Sequence, residues 1–141
     1  MIEVYNYIAS DLTFMNQLPG GFYYGGEIPY ISRQYTPDAF DSNRRLLECA
    51  ILQHNEAVPA GPPYEAAVEE NFSIFIYSAD GTAYIDTAKT RLFDVLHDSK
   101  INSSTGYSWY TEFLGELPGW WDNNLVAWAH ISRWRWMTNR R

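Results

Sequence analysis

Residues 65–78 read EAAVEENFSIFIYS, and this stretch decides the fold. Apolar side chains occupy one parity, at Ala66, Val68, Phe72, Ile74 and Ile76, whereas polar side chains occupy the other, at Glu69, Asn71 and Ser73. Alternation over this length is typical of a β-strand, because successive side chains of a strand point to opposite faces of a sheet. The stretch therefore predicts one long strand with a single buried face.

A helix is predicted directly after this strand. The dipeptide Asp80-Gly81 breaks the alternation, and Thr82 is placed to cap the N-terminus of the helix. From there apolar residues recur at helical spacing, at Ile85, Ala88, Leu92, Val95 and Leu96. Because the connecting turn is so short, the helix must fold back on its own sheet, and the pair forms the centre of a small core.

Three patterns precede this pair. Residues 2–17 predict an amphipathic helix with Tyr5, Ile8, Leu12 and Met15 on one stripe. Residues 20–42 are rich in glycine, proline and aromatic residues, and they are expected to form an irregular loop with one short strand at residues 30–34. Residues 44–55 alternate again and predict another strand.

A Pro-rich loop, residues 58–64, joins that strand to the long one. Antiparallel pairing of the two strands would place the loop at a strand tip as a projecting arm. A long projecting loop in a small domain usually has a partner or else is mobile. Its candidate interaction residues are Pro59, Pro62, Pro63 and Tyr64.

The C-terminal part predicts two more strands, at residues 107–114 and 125–137, with a turn around Trp120 and Trp121 between them. The last strand changes parity, because its apolar face from Leu125 to Ile131 continues as arginines while tryptophans occupy the other face. Either a bulge near residues 131–133 switches the faces, or the strand extends beyond its sheet and lays its tryptophans on a neighbouring subunit. The candidate interaction residues here are Trp120, Trp121, Arg133, Trp134, Arg135 and Trp136.

The order of these elements predicts an α+β fold. We expect one domain over residues 1–141, with a mostly antiparallel sheet of four to five strands and two helices packed on one face. The other face of the sheet is then expected to meet solvent or a partner. Residues 138–141 are expected to form a basic C-terminal tail.

Composition favours protein contacts over nucleic-acid binding. Aromatic residues make up 17% of the chain, an excess that marks either interaction surface or simply a β-rich fold. A net charge of −7 argues against non-specific binding to nucleic acid. The charge is uneven, because no acidic residue follows Asp122 and four arginines lie beyond it. Such a subunit could meet copies of itself head to tail or in a ring, although Arg140 and Arg141 alone are better read as a solvated terminus.

No catalytic, cofactor or metal site is predicted. His54, His97 and His130 are far apart, have no ligand partner at a metal-site interval, and are expected at the surface or at strand edges. The single cysteine, Cys49, excludes an intramolecular disulfide and is expected to be buried. The N-terminus lacks a secretory signal, and no apolar run reaches transmembrane length, so the chain is expected to fold in a cytoplasm without a membrane partner.

The segment NFSIFIYSADGTAYIDTAKTRLFDVLHD, residues 71–98, resembles the strand-turn-helix signature of the tail terminator, or tail completion, proteins of long-tailed bacteriophages. Ile74, Ile76 and Tyr77 match the strand of that signature, and Ile85, Ala88, Leu92 and Leu96 match its helix. The flanking organisation is similar too, with an N-terminal helix before a Gly-rich loop that holds Ile28-Pro29-Tyr30. The Trp-rich C-terminus and the loop of residues 58–64 have no counterpart in the resemblance.

The resemblance implies a structural virion protein without catalytic residues or cofactors. Members of that family form a ring, usually a hexamer, on the head-proximal end of the tail tube, where they stop polymerisation and offer a surface to the head connector. The implied partners are further copies of the chain, the tail tube protein, the head completion or connector (stopper) protein, and genome DNA that passes through the lumen without specific binding. Synthesis in the host cytoplasm and a place in the virion neck follow from the same resemblance.

Other classes of protein stay open at this stage. Another neck, head-completion or tail-tube component would share most of these features. A carbohydrate- or peptide-binding module would use the tryptophans as a stacking platform. An enzyme would need a constellation of residues that the sequence does not reveal.

Overall fold

The computed structural model describes residues 1–60, 67–103 and 110–139. In chain order the elements are α1 (Ile2–Ala9), α2 (Leu12–Asn16), β1 (Phe22–Tyr24), a 3-10 turn (Pro37–Ala39), β2 (Cys49–Pro59), β3 (Ala67–Ser78), α3 (Thr82–Leu96), β4 (Glu112–Asp122) and β5 (Ala127–Asn139). None of the helices in these ranges combines the length and apolarity that a membrane span requires.

Five strands form one sheet in the order β1-β2-β3-β5-β4. The pairs β2–β3, β3–β5 and β4–β5 are antiparallel, and β1 runs parallel to β2. The α+β class and the mostly antiparallel sheet are therefore confirmed. The long strand predicted from residues 65–78 is β3, and it lies at the centre of the sheet.

The main core lies between the helices and one face of the sheet. Alternate residues of β3, namely Phe72, Ile74 and Ile76, point into it and are at most 1% exposed. The predicted stripe of α3 packs on them through Ile85, Ala88, Leu92 and Leu96. The N-terminal helices add Val4, Ile8 and Phe14 to the same cluster, so the prediction that the helices share one face is confirmed.

A second, smaller core lies on the opposite face of the sheet. The irregular segment between β1 and β2 covers this face with Ile31, Ala39 and Leu46. These side chains pack on the sheet residues Cys49, Ile51, Tyr77, Ala127 and Ala129. One end of the second face is therefore filled by the chain itself rather than by solvent or a partner.

The prediction of one continuous helix over residues 2–17 is wrong, because the structure has two helices there, α1 and α2. Asp11 interrupts it, because its carboxylate caps α2 by accepting a hydrogen bond of 2.7 Å from the backbone N–H of Phe14. The interruption rotates the apolar stripe. Leu12, which the stripe predicts as buried, is 74% exposed, whereas Phe14 is fully buried.

The short strand predicted at residues 30–34 is wrong as well, because the short strand is β1. Side-chain hydroxyls hold residues 32–36 in turns instead: Ser32 Oγ accepts a hydrogen bond from the Tyr35 N–H, and Thr36 Oγ1 accepts one from the Ser32 N–H. Such local side-chain bonds compete with strand pairing.

Two predicted boundaries also shift. The cap of α3 is Gly81 rather than Thr82, since a φ of 110° there suits glycine. Trp120 and Trp121 belong to β4, and the turn lies at residues 123–126, where the Asp122 carboxylate accepts hydrogen bonds from the backbone N–H groups of Asn124 and Leu125. Residues 107–109, the first part of the strand predicted at residues 107–114, lie outside the described residues.

The parity change in the last strand has a different cause from either of those expected. β5 pairs with β3 without interruption from Ser78↔Trp128 to Ala67↔Asn139, so the faces are not switched by a bulge. The two cores lie on opposite faces and towards opposite ends of β5. Its apolar residues therefore point one way at Ala127 and Ala129 and the other way at Trp134 and Trp136.

Candidate interaction surfaces

The tryptophans of the last strand belong to the core of the single chain. Trp134 is 1% exposed and Trp136 is 2% exposed. The indole N–H of Trp134 donates to Ser132 Oγ at 2.9 Å, and that of Trp136 donates to the Ile101 carbonyl at 3.3 Å. Burial between subunits, as the parity change suggested, is therefore wrong for both residues, because their own helices already cover them. A stacking platform that includes them is excluded for the same reason.

The other predicted interaction residues are dispersed. Pro59 is exposed at the end of β2, opposite Val68. Arg133 is exposed on β5, whereas Arg135 is half buried and pairs with Glu69 and Glu112. Trp120 packs against the second core. Pro62, Pro63 and Tyr64 lie outside the described residues.

Trp121 is the predicted residue that marks an accessible apolar surface. It is 42% exposed at the end of β4, and its ring meets that of Trp128 edge to face at 5.3 Å between centroids. Val126, in the turn between β4 and β5, has a φ of 53° and is 59% exposed. A β-branched residue with positive φ is uncommon, and this one presents its side chain to solvent. Sequence reasoning missed Val126, because a lone valine beside a turn carries no periodic signal.

Three arginines border this apolar surface. Arg33, Arg44 and Arg45 line a cleft of about 360 Å³ together with Trp121, Leu125 and Val126. Arg45 pairs with Asp80, and the guanidinium of Arg33 lies 5.0 Å from the centre of the Phe40 ring. Arg44 is exposed and has a φ of 61°, in a turn whose backbone N–H groups at Asn43 and Arg45 donate to Asp41 Oδ1. We name Arg33, Arg44, Arg45, Trp121, Leu125 and Val126 the arginine–tryptophan end.

Carboxylates gather around Tyr24 in β1. Burial raises the pKa of the Tyr24 phenol, and the negative charges of Glu3, Glu27 and Glu70 raise it further. Glu70 lies 2.5 Å from His54 Nε2, and Glu3 pairs with the N-terminal ammonium. Glu27 is exposed and forms no ion pair within the described ranges. We name Glu3, Tyr24, Glu27 and Glu70 the acidic edge.

A histidine is among the buried polar side chains. His130 is 2% exposed, contrary to the expected surface position, and its Nε2 lies 2.8 Å from a Glu116 carboxylate oxygen. The hydrogen bond to His130 lowers the pKa of the Glu116 carboxyl, and Lys89, whose Nζ lies 3.6 Å from Glu116, lowers it further. These residues line a groove of about 350 Å³ between α3 and the β4–β5 pair, whose walls include Phe93 and Phe113.

The described residues contain no cluster of three or more His, Cys, Asp or Glu side chains that could hold a metal ion. Burial raises the pKa of the Cys49 thiol, so this cysteine stays protonated and inert, as expected for a buried cysteine.

Comparison with known proteins adds a structural likeness. No protein-family model matches the chain, and no curated protein matches it. Among solved structures, it is similar to a chain from a structure described as the virion of a native gene transfer agent (GTA) particle, with a TM-score of 0.71 and 16% sequence identity. The match covers 96% of this chain and 91% of that chain. At this identity the likeness shows that the two chains share a fold from end to end.

Proposed function

We propose that this chain is a structural virion protein. In this proposal it forms a ring that caps the head-proximal end of a bacteriophage tail tube, ends tube polymerisation and forms the head–tail joining surface. The observation that carries the proposal is the fold shared with a chain of a gene transfer agent virion over nearly the whole length of both chains. The strand-turn-helix signature at residues 71–98, which forms β3 and α3, supports the same class of protein.

The surface properties are compatible with assembly into a ring. A ring of identical subunits needs two complementary lateral faces on each subunit. The arginine–tryptophan end combines tryptophan and arginine, the residue types that most often dominate protein–protein binding energy. With −7 per subunit, a ring would also repel DNA phosphates in its lumen and let a genome pass without binding it.

The proposed partners are the tail tube protein on one side of the ring and the head completion or connector (stopper) protein on the other. A different neck, head-completion or tail-tube component would fit the shared fold equally well. The position of the protein in the particle distinguishes these roles.

The test is to add the purified chain to polymerising tail tube protein and to measure tube lengths by negative-stain electron microscopy. We expect a ring at one end of each tube and a shorter mean length as the chain is increased. Light scattering after size-exclusion chromatography gives the mass of any ring in solution. Tubes that grow unchanged and carry no ring would contradict the terminator role, and incorporation along the whole tube would instead indicate a tube subunit.

A further inference from the structure

The two charged surfaces are formed by different residues and include different edge strands of the sheet. The acidic edge surrounds Tyr24 on β1, and the arginine–tryptophan end includes Trp121 on β4, and these are the two edge strands. These edge strands are four strand spacings apart, which corresponds to roughly 19 Å. The arginines belong to the segment between β1 and β2 and Glu70 belongs to β3, so the two surfaces share no residue. One copy can therefore use both surfaces at the same time.

Each surface carries charged side chains without an ion-pair partner among the described residues, in addition to charges that are already paired, such as Arg45 with Asp80 and Glu70 with His54. Within the described ranges, Arg33 and Arg44 form no ion pair, and Glu27 forms none. The arginines are also placed beside exposed apolar side chains, Trp121 and Val126, which would lose water in a contact. Surfaces of opposite charge steer association and fix its register, while buried aromatic anchors supply affinity.

We propose that the arginine–tryptophan end of one copy docks on the acidic edge of the next copy. This inference rests on the proposed ring and specifies its lateral contact. Because the two surfaces differ, the contact is head to tail, and each copy keeps one free surface after binding a neighbour. Repetition closes a ring if the rotation between neighbours divides a full turn. A contact between two identical patches would stop at a dimer.

Reversal of one charge on each surface tests whether the arginine–tryptophan end contacts the acidic edge. Arg44→Asp reverses a charge at the arginine–tryptophan end, and aspartate tolerates the left-handed backbone of that position better than most residues. Glu27→Lys reverses a charge on the acidic edge. Ring formation is measured on tail tubes by electron microscopy and in solution by sedimentation velocity, and thermal unfolding verifies that each variant folds.

We expect each single variant to raise the concentration for half-maximal assembly at least tenfold. The double variant Arg44→Asp/Glu27→Lys restores an attractive pair in every contact and should recover most of the loss. An equimolar mixture of the two single variants should recover it too, in rings of alternating copies. Lys100→Asp is the matched control, because it makes the same change of charge at an exposed site outside both surfaces and should leave assembly within twofold of wild type.

The outcomes separate this inference from the proposed function. Wild-type protein that forms no ring in solution or on tubes would overturn the proposed ring and the contact together. Rings that form normally from both single variants, or a double variant that recovers nothing, would overturn the contact alone. An equal loss with Lys100→Asp would show an effect of net charge and would also overturn it.

Discussion

Arg91 on α3 and Asp11, the cap of α2, form a two-point ion pair across 80 positions of sequence. Arg91 Nε lies 3.0 Å from Asp11 Oδ1, and Arg91 Nη2 lies 2.6 Å from Oδ2. Because Asp11 Oδ1 also accepts the N–H of Phe14, one carboxylate starts α2 and ties it to α3. The pair thus fixes the N-terminal helices on the central helix.

Removal of this carboxylate should therefore weaken the fold. We expect Asp11→Ala to lower the free energy of unfolding by about 1 kcal/mol, because α2 loses its cap. Asp11→Asn keeps a capping oxygen and should cost less. Urea unfolding measures both changes, and equal losses in the two variants would contradict the capping role.

The same carboxylate makes stability depend on pH. The hydrogen bond from Arg91 lowers the pKa of Asp11 in the folded state, with help from the Phe14 N–H. A carboxyl with a lowered folded pKa contributes stability above its unfolded pKa of about 3.9, and the contribution is lost as the pH falls through the folded pKa. Between pH 6 and pH 3, wild type should lose more stability than Asp11→Asn. Parallel losses in the two proteins would contradict this.

These contacts show why only part of the fold could be predicted from the sequence. The alternation of Phe72, Ile74 and Ile76 and the helical spacing of Ile85 and Leu92 report local period, and local period was enough for β3 and α3. The break at residue 11 depends on the Asp11 cap, which a pattern of apolar residues does not report. The tie from Asp11 to α3 depends on Arg91, which is distant in sequence.

The candidate site was harder to predict for a related reason. A tryptophan on a strand is buried or exposed according to whether a core covers the face of the sheet to which it points. The sequence of one strand does not show that each face of the sheet has its own core. Trp134 and Trp136 were therefore placed at an interface although they are core, whereas Val126 and the arginines of residues 33–45 were not identified. Trp121 was identified because its neighbourhood is aromatic, although it lies in a strand and not in a turn.

Core and surface tryptophans should respond to mutation in opposite ways. Trp134→Ala removes a fully buried side chain and should cost about 3–5 kcal/mol of stability. Trp121→Ala removes an exposed ring and one edge-to-face contact, and it should cost about 1 kcal/mol or less. Among molecules that are folded, Trp121→Ala should weaken ring formation more than Trp134→Ala does. Chemical denaturation and sedimentation velocity on both variants measure the two effects, and a large stability loss at Trp121 would contradict its surface role.

The buried imidazole of His130 depends on its carboxylate partner. Glu116→Ala would leave His130 Nε2 without the acceptor that now lies 2.8 Å away, and an unsatisfied buried polar group costs about 1–3 kcal/mol. Glu116→Gln retains a hydrogen-bonding oxygen and should cost less at neutral pH. Thermal unfolding at pH 7 distinguishes the two variants. A loss in Glu116→Gln as large as that in Glu116→Ala would show that charge, rather than hydrogen bonding, matters at this position.

The turn between β3 and α3 requires glycine. Gly81 has a φ of 110° and a ψ of 179°, a backbone conformation that residues other than glycine rarely adopt. A Cβ at this position would meet no atom within 4 Å, so the cost of Gly81→Ala is conformational strain and not a clash. We expect a loss of about 1–3 kcal/mol without a change in the denaturant slope. A neutral effect in urea unfolding would show that the turn can relax to negative φ.

The tip of the β2–β3 pair separates folding from assembly. Pro59 pairs with Val68, and the backbone N–H of Ala60 donates to the Ala67 carbonyl at 3.1 Å, so the two strands are held together up to residues 60 and 67. Replacement of residues 61–66 by Asn-Gly would close this hairpin with a favoured two-residue turn, and we expect stability to change by about 1 kcal/mol or less.

The replacement removes Pro62, Pro63 and Tyr64, which we propose as contact residues, so ring formation should weaken while the fold persists. Circular dichroism measures the fold, and size-exclusion chromatography with light scattering measures the ring. The control is a variant with all six positions 61–66 present, in which Pro62, Pro63 and Tyr64 are kept and only residues 61, 65 and 66 are exchanged with one another. Unchanged ring formation by the Asn-Gly variant would limit the interface to surfaces formed by the rest of the chain.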